Sequence, residues 1–450
     1  MNQSDIMRDQ SIGKLLLNFS LPAIVGMLVN AMYNIISRIF VGQGVGPLAL
    51  AATTIAFPVM IIMFAAAMLF GIGATALISI RLGQQKNNEA EKVMGNATLM
   101  LVIFPAIIAV IFFMFTEPIL IAIGASENVL PYAKDYIQII MLGSVFGSIS
   151  FGVNNFIRAE GNPKIAMYTQ ILSAVVNIIL HYIFIMKMGM GIKGAAWATV
   201  VAQGVSAVWV LSYFFTGKSL LKIRVKYLMP EWPILIKIMA IGFSPFAMQI
   251  AQSVQNLILN RALMNYGGDL ALSAVGIMMG ISTLLFMPIV GISQGAQPII
   301  GYNYGAHQYQ RVKKTLKIAS IAGTVIAVVG YVALRIWSVE IISLFGDDQE
   351  LINLTNHAML VFFALLPVIG FQIINANYFQ AVGKAREAAI LSMSRQILFF
   401  IPLLLILPRF WGIEGVWRAA PIADFLSVIF TAVFIYGEIR KLNKKIVVAQ

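Results

Sequence analysis

LALAATTIAFPVMIIMFAAAMLFGIGATALISIRLG, residues 48–83, carries no charged side chain before Arg81. A membrane-crossing helix needs about 20 mostly apolar residues, so this stretch is read as a span over 50–80. The same stretch returns in the second half of the chain with its register kept. Leu48-Ala49-Leu50 matches Leu270-Ala271-Leu272, Ala52 matches Ala274, Gly73-Ala74 matches Gly295-Ala296, and Gly83 matches Gly305. The same shift pairs Asn34 with Asn256, Asn155 with Asn377, Ala159 with Ala381 and Gly161 with Gly383; one residue less sets GIKG (191–194) on GIEG (412–415). A register held with almost no gap over most of a half is an internal duplication.

Reading outward from this segment gives spans at roughly 15–40, 50–80, 93–115, 133–157, 165–186, 193–215, 234–263, 271–302, 316–338, 353–379, 388–408 and 412–437. Uniformly apolar runs of this length do not alternate as barrel strands do, so the spans are helices. The predicted fold class is an all-α polytopic membrane protein with twelve transmembrane helices. Each copy holds six spans. Six is even, so the copies share an orientation and form two bundles related by a pseudo-two-fold axis along the membrane normal. The divisions follow as an N-lobe at 1–215, a cytoplasmic linker at 216–233 and a C-lobe at 234–450.

Composition agrees. The 450 residues are 60% hydrophobic and 11% charged, with mean hydropathy +0.87, against about 25% charged in soluble domains. The net charge of +13 does not point to nucleic acid, because the basic residues sit in short clusters between apolar spans. Those clusters (Arg81, Lys86, Lys92; Arg311, Lys313, Lys314, Lys317; Arg440, Lys441, Lys444, Lys445) lie mostly on the side that holds both termini, which the positive-inside rule makes the cytoplasm. There is no Cys, so thiolate metal sites are excluded. His181, His307 and His357 lack metal-ligand spacing, and no metal or cofactor is expected. No constellation of nucleophile and base suggests an enzyme.

The polar residues inside spans are mostly amides: Asn30, Asn34, Asn154, Asn155, Gln170, Asn177, Gln249, Gln252, Gln255, Asn256, Asn260, Gln294, Gln297, Gln372, Asn375 and Asn377. Gln249, Gln252, Asn256 and Asn260 recur at three and four and share a helix face. A polar stripe is costly against lipid, so that face looks into protein or a wet cleft; helix–helix hydrogen bonding uses the same residue types. The 24 Met and 29 Phe suit repackable walls or ordinary core packing. Prolines 58, 105, 288, 367, 402 and 421 lie deep in spans and permit kinks. Asp424 stands about 18 Å into the last span at 1.5 Å per residue. An intramembrane acid is a functional candidate whose partner must be named; Arg395 in span 11 is that partner, in an ion-coupling site or in a structural pair. Arg38 falls near the outer interface, where a long cation can snorkel.

The whole chain resembles the multidrug and toxin extrusion (MATE) transporters, bacterial exporter branch. The resemblance is carried by YNIISRIFVGQGVGPLALAA (33–52), QGAQPIIGYNYGAHQYQRVKK (294–314), NYFQAVGKAR (377–386) and SRQILFFIPLLLILP (394–408). It implies a V-shaped fold with a central cleft and antiport of organic, cationic or amphipathic small molecules against H⁺ or Na⁺, with no other cofactor. Where the family often has acids in spans 1 and 5, this chain has Ser37 and His181. Asn177 is kept, and Thr199 matches a polar position of the same cluster. Ion coupling is therefore expected among Asp424, His181, Ser37, Asn177 and Thr199. Substrate-cleft candidates are Tyr33, Asn34, Asn154, Gln252, Gln255, Asn256, Gln294, Gln297, Asn375 and Arg395. The bilayer and small molecules are the expected partners, nucleic acid is not, and a monomer is expected. A lipid-linked-oligosaccharide flippase of the same superfamily is the alternative.

Overall fold

The computed structural model describes residues 7–217, 219–345 and 348–449. Those residues form helices and loops, with no strand among them. In chain order the spanning helices are α1 (Ile12–Gly44), α2 (Pro47–Gly83), α3 (Asn87–Met114), α4 (Leu130–Ala159), α5 (Pro163–Lys187) and α6 (Gly191–Phe215). The unbroken helical assignment Trp232–Gly305 is two spans, α7 and α8. They meet at Gly268, whose φ of 64° and ψ of −160° interrupt the helix. α9 (Tyr309–Ser343) follows. α10 is a bent pair, Gln349–Phe362 and Leu366–Ala381, at 51°. α11 (Ala385–Trp411) and α12 (Ile413–Ala449) complete twelve.

The helices outrun the apolar windows that announce them. α9 starts seven residues before its window because Arg311, Lys313 and Lys314 end an apolar run but are good helix formers. Of the six deep prolines, Pro58, Pro105 and Pro421 sit inside continuous helices. Pro367 opens the second half of the bent α10, where its ring disfavours helix in the residue before it. Pro402 follows a π-helical stretch, Ser394–Phe400. α5 carries a second π-helical stretch, Tyr182–Lys187.

The duplication is written in the backbone. Positive φ recurs at equivalent positions: Gly46 (114°) and Gly268 (64°), Gly161 (105°) and Gly383 (77°), Gly191 (60°) and Gly412 (55°). Even the two non-glycine cases are partners, Gln85 (59°) and His307 (60°). Left-handed backbone is uncommon away from glycine, so the shared conformation marks the loops after α2 and α8 as copies of one design.

The chain forms two compact units, Val25–Phe246 and Gln10–Ile24 with Ala247–Gln450. They cut across a division at the linker, because each unit contains the opening turns of the other half's first helix. In the first unit, α2 meets the start of α7 backbone to backbone. A Cβ on Gly242 would lie 1.7 Å from the Leu69 carbonyl oxygen, and one on Gly73 would lie 2.2 Å from that of Ile238. In the second, a Cβ on Gly295 would lie 2.7 Å from the Ser20 nitrogen. Small residues permit this approach where no water drives helices together.

Residues 216–231, Lys218 lying outside the described residues, form a strap with one 3-10 turn at Val225–Tyr227. Buried carboxylates hold it to the first unit. Glu91 accepts from the Lys222 backbone N–H (3.0 Å) and Arg224 Nε (2.7 Å). Glu160, fully buried, accepts from Ser219 Oγ (2.6 Å), the Leu221 N–H (3.4 Å) and the Tyr213 hydroxyl. Asn96 Oδ1 accepts from the Glu231 N–H (2.6 Å).

Removing a carboxylate leaves buried donors unmet, at about 1–3 kcal/mol each. Glu91→Ala is expected to speed tryptic cleavage at Lys222, Arg224 and Lys226, and Glu91→Gln to do so less; equal cleavage of all three proteins sinks the strap. Burial, opposed by its hydrogen bonds, raises the Glu160 pKa above the ordinary carboxylate value. The folded state therefore holds this proton more tightly than the unfolded chain does. Stability from that source is full below the ordinary glutamate pKa and is lost as pH rises through the raised one. Melting temperature should fall over that window, and Glu160→Gln should flatten the slope.

Candidate functional site

Three of the predicted first-unit residues come together. α1 brings Ser37 to α5, where its hydroxyl donates to Asn177 Oδ1 at 2.9 Å. One turn on, His181 Nδ1 lies 2.9 Å from the Asn177 carbonyl oxygen. A carbonyl only accepts, so Nδ1 carries the hydrogen and Nε2 is the basic nitrogen of the neutral ring. Asn177 and His181 are buried at 3% and 2% exposure, and the Phe40 ring lies 6.4 Å from the imidazole. The π-helical turn begins at the next residue, Tyr182. Thr199 is half-buried and bonds its own helix at the Ala195 carbonyl (3.1 Å). Arg38 is exposed, its guanidinium 6.0 Å from the Phe57 ring centroid, as a snorkelling cation would be.

In the second unit, Arg395 Nε donates to Asp424 Oδ1 at 2.6 Å. Asp424 is 3% exposed and Arg395 is half-buried. The two residues enter from opposite ends of antiparallel helices, each ten or eleven residues in. Arg395 lies in the π-helical stretch of α11; the wider turn changes where its side chain points, and such turns gather at functional places.

The cleft candidates fall in both units. Tyr33, Gln255, Asn256, Gln294 and Gln297 are half-buried, while Asn34, Gln252 and also Asn30 are exposed. Asn34 Nδ2 donates to the Asn30 carbonyl at 2.8 Å. Exposed amides midway along spanning helices require water at that face, so α1 and α7 each present a wetted strip. Asn154 and Asn375 are instead buried in the helix packing. Asn375 donates to Ser320 Oγ (3.0 Å) and the Phe371 carbonyl (2.7 Å), which makes it a helix–helix tie.

Arg158 escaped the sequence reading because it resembles any basic residue at a helix end. It is 5% exposed and bonds Asn155 Oδ1 at 3.2 Å. With the Gln170 amide turned to donate to the Gly26 carbonyl (2.8 Å), its oxygen accepts from Arg158 Nη2 (2.8 Å). No spacing signals those contacts. Among the described residues no group of His or carboxylates could hold a metal ion.

A family model described as MatE matches residues 22–183 and again 246–406, once in each half. The multidrug export protein MepA of Staphylococcus haemolyticus is 29% identical over 432 residues, covering 96% of this chain and 95% of that protein. MepA of Staphylococcus aureus (strain N315) is 27% identical over 423 residues, covering 94% and 93%. Among solved structures, the MATE multidrug transporter DinF-BH in complex with rhodamine 6G is 40% identical with a TM-score of 0.89, covering 95% of this chain and 96% of that one. A MATE crystal structure in the bent conformation has the same fold, with a TM-score of 0.92 at 22% identity over 99% of both chains.

Breaking one side of a buried ion pair costs about 3–5 kcal/mol, whereas replacing both sides with apolar groups is often neutral. Arg395→Ala is expected to lower the melting temperature sharply, and Arg395→Met with Asp424→Leu to restore most of the loss. A mild effect of Arg395→Ala in the same melts argues that the carboxylate is not held by this guanidinium.

Proposed function

Because the chain belongs to the MatE family, we propose that it is a secondary antiporter that exports organic, cationic or amphipathic compounds from the bacterial cytoplasm in exchange for H⁺. It is a multi-pass membrane transporter of small molecules, not an enzyme. The exporter names of its relatives and the rhodamine 6G bound to DinF-BH support the substrate class.

The observation that carries proton coupling is the Arg395–Asp424 pair. Its carboxylate is the one acid the sequence sets near the middle of a span. When Asp424 takes a proton, Arg395 loses its counter-charge, and a cation left alone inside a span is costly enough to drive the pair apart. Proton binding thus selects one arrangement of the π-helical segment over another. His181 Nε2 is a second proton acceptor, held in orientation by Asn177 and through it by Ser37. The amides of α1 and α7 offer neutral hydrogen bonds to a substrate, while Met and Phe supply adaptable apolar contact. The charge asymmetry of the loops supports cytoplasmic termini, and one chain holds both copies of the bundle, in keeping with a monomer.

The flippase alternative is not favoured. An anionic lipid head group needs unengaged cations, and the guanidiniums deep in the helix packing are occupied, Arg395 by Asp424 and Arg158 by Asn155 and Gln170.

Proteoliposomes loaded with rhodamine 6G test the coupling. A pH gradient should drive movement of the dye, and a Na⁺ gradient at constant pH should not. Asp424→Asn should cut the pH-driven rate by about tenfold or more, a barrier change of about 1.4 kcal/mol, with dye binding retained. His181→Ala should cost less. Full pH-driven transport by both variants removes both residues from the coupling site, and transport on Na⁺ alone overturns the choice of ion.

A further inference from the structure

α12 buries one face and gives the other to lipid. Asp424, Ser427, Thr431 and Glu438 fall at three-, four- and seven-residue steps and are all buried, whereas Phe425, Ile429 and Val433 on the opposite side are exposed. The hydroxyls of Ser427 and Thr431, both fully buried, have no hydrogen-bond partner among the described residues. Ser20, Ser79, Ser144, Ser206 and Thr355 also keep buried hydroxyls without a partner among the described residues, but Ser427 and Thr431 stand one turn apart on the face that holds Asp424. Thr75, Ser282 and Thr315, also buried, each turn back onto the carbonyl four residues earlier. Gln396, beside Arg395 on α11, likewise keeps a buried Oε1 without a partner among the described residues. Each such group costs about 1–3 kcal/mol if left dry. Water is the partner that buried polar groups of this kind ordinarily take.

Asp424 to Thr431 is about 10 Å along the helix, and Glu438 lies about 10 Å further toward its C-terminal end. There Glu438 accepts from the Tyr378 hydroxyl (3.2 Å) and pairs with Lys384. Ile435 is the apolar residue between. We infer that the buried face of α12 is a hydrated polar file, narrowed at Ile435 but open to the Glu438 end, through which protons pass between Asp424 and Glu438 by way of Ser427 and Thr431. It rests on the proton-antiport reading and supplies that reading with a route. The charged and titratable groups facing the file are Arg395 at Asp424, and Tyr378, Lys384 and, beyond them, Lys445 with Tyr304 at Glu438. Further along α12, Lys313 of α9 bonds Asn443 (3.0 Å) and His357 of α10 pairs with Glu414 near the opposite end.

The natural chain has no Cys, so single cysteines can be read without background. Ser427→Cys and Thr431→Cys, in inside-out vesicles, are treated with an impermeant cationic methanethiosulfonate. Thiols react as thiolates, which form in water and not in lipid. Both should be modified at least about tenfold faster than Val433→Cys on the lipid side. In proteoliposomes, Thr431→Val should slow pH-driven transport of rhodamine 6G several-fold, and Thr431→Ser should keep it. Labelling no faster than at Val433→Cys overturns the file, as does full-rate transport by Thr431→Val. Labelling needs no transport, so a dry file leaves the antiport reading standing. Efflux indifferent to pH overturns that reading, and the proton route with it, even if the file is wet.

Discussion

At two glycines of the first unit, helix backbones meet with no room for a side chain between them. Gly242 sits against the Leu69 carbonyl and Gly73 against that of Ile238, and in the other unit Gly295 sits against Ser20. In a bilayer no water is released when apolar helices meet, so close packing and hydrogen bonding must hold them. A side chain at Gly242 would have to occupy the space of a carbonyl. These contacts bind the opening turns of α7 into the first unit and those of α1 into the second. Once those turns are fixed, the wetted amides further along α1 and α7 are carried on helices anchored at one end. The buried carboxylates of Glu91 in α3 and Glu160 at the end of α4 then hold the strap to the first unit.

Much of this was legible in the sequence because membranes make composition informative. Charge-free runs give the spans, and the repeat gives the pairing of halves. The repeat even foretells backbone shape, since Gly46 and Gly268 share a register position and a positive φ. Ser37, Asn177 and His181 were expected as a cluster because the resemblance to the MATE transporters implies polar groups at those positions. Arg395 and Asp424 read as a pair in sequence and are in contact, with Arg395 inside the π-helical stretch Ser394–Phe400. No propensity announces that turn.

What stayed hidden depends on rotation about a helix axis or on contact with irregular chain. Thr199 was expected in the cluster of Ser37 but bonds its own backbone. Asn375 has the composition of a cleft residue and the contacts of a core residue. The basic stretch after α6 looks like a free linker, yet Glu91, Glu160 and Asn96 strap it down. Those anchors are a helix-start acid, a helix-end acid and an amide, each ordinary in sequence. Hydropathy cannot reveal that their partners include backbone groups more than a hundred residues away in two of the three cases.

The duplication also explains why the chemistry of the two units differs. The repeat register places Ser173 and Gln203 where the second half has Arg395 and Asp424. One copy therefore kept neutral polar groups at these positions, and the other carries an ion pair. Both copies have a π-helical stretch in their fifth helix, at Tyr182–Lys187 and at Ser394–Phe400. In the first it follows a histidine that bonds its own backbone; in the second it contains the arginine that holds an acid. A wider turn is the part of a helix whose hydrogen bonds are easiest to rearrange, and the two stretches do not coincide in the repeat register, so each copy places it beside a different titratable side chain. Protonating His181 adds a charge beside Asn177 and Phe40. Protonating Asp424 removes one and leaves Arg395 inside the span without its partner. The second change acts on a pair whose acid is already out of water, where a lost charge is felt most strongly, and on the proposed antiport reading the second unit is therefore the one a proton would move.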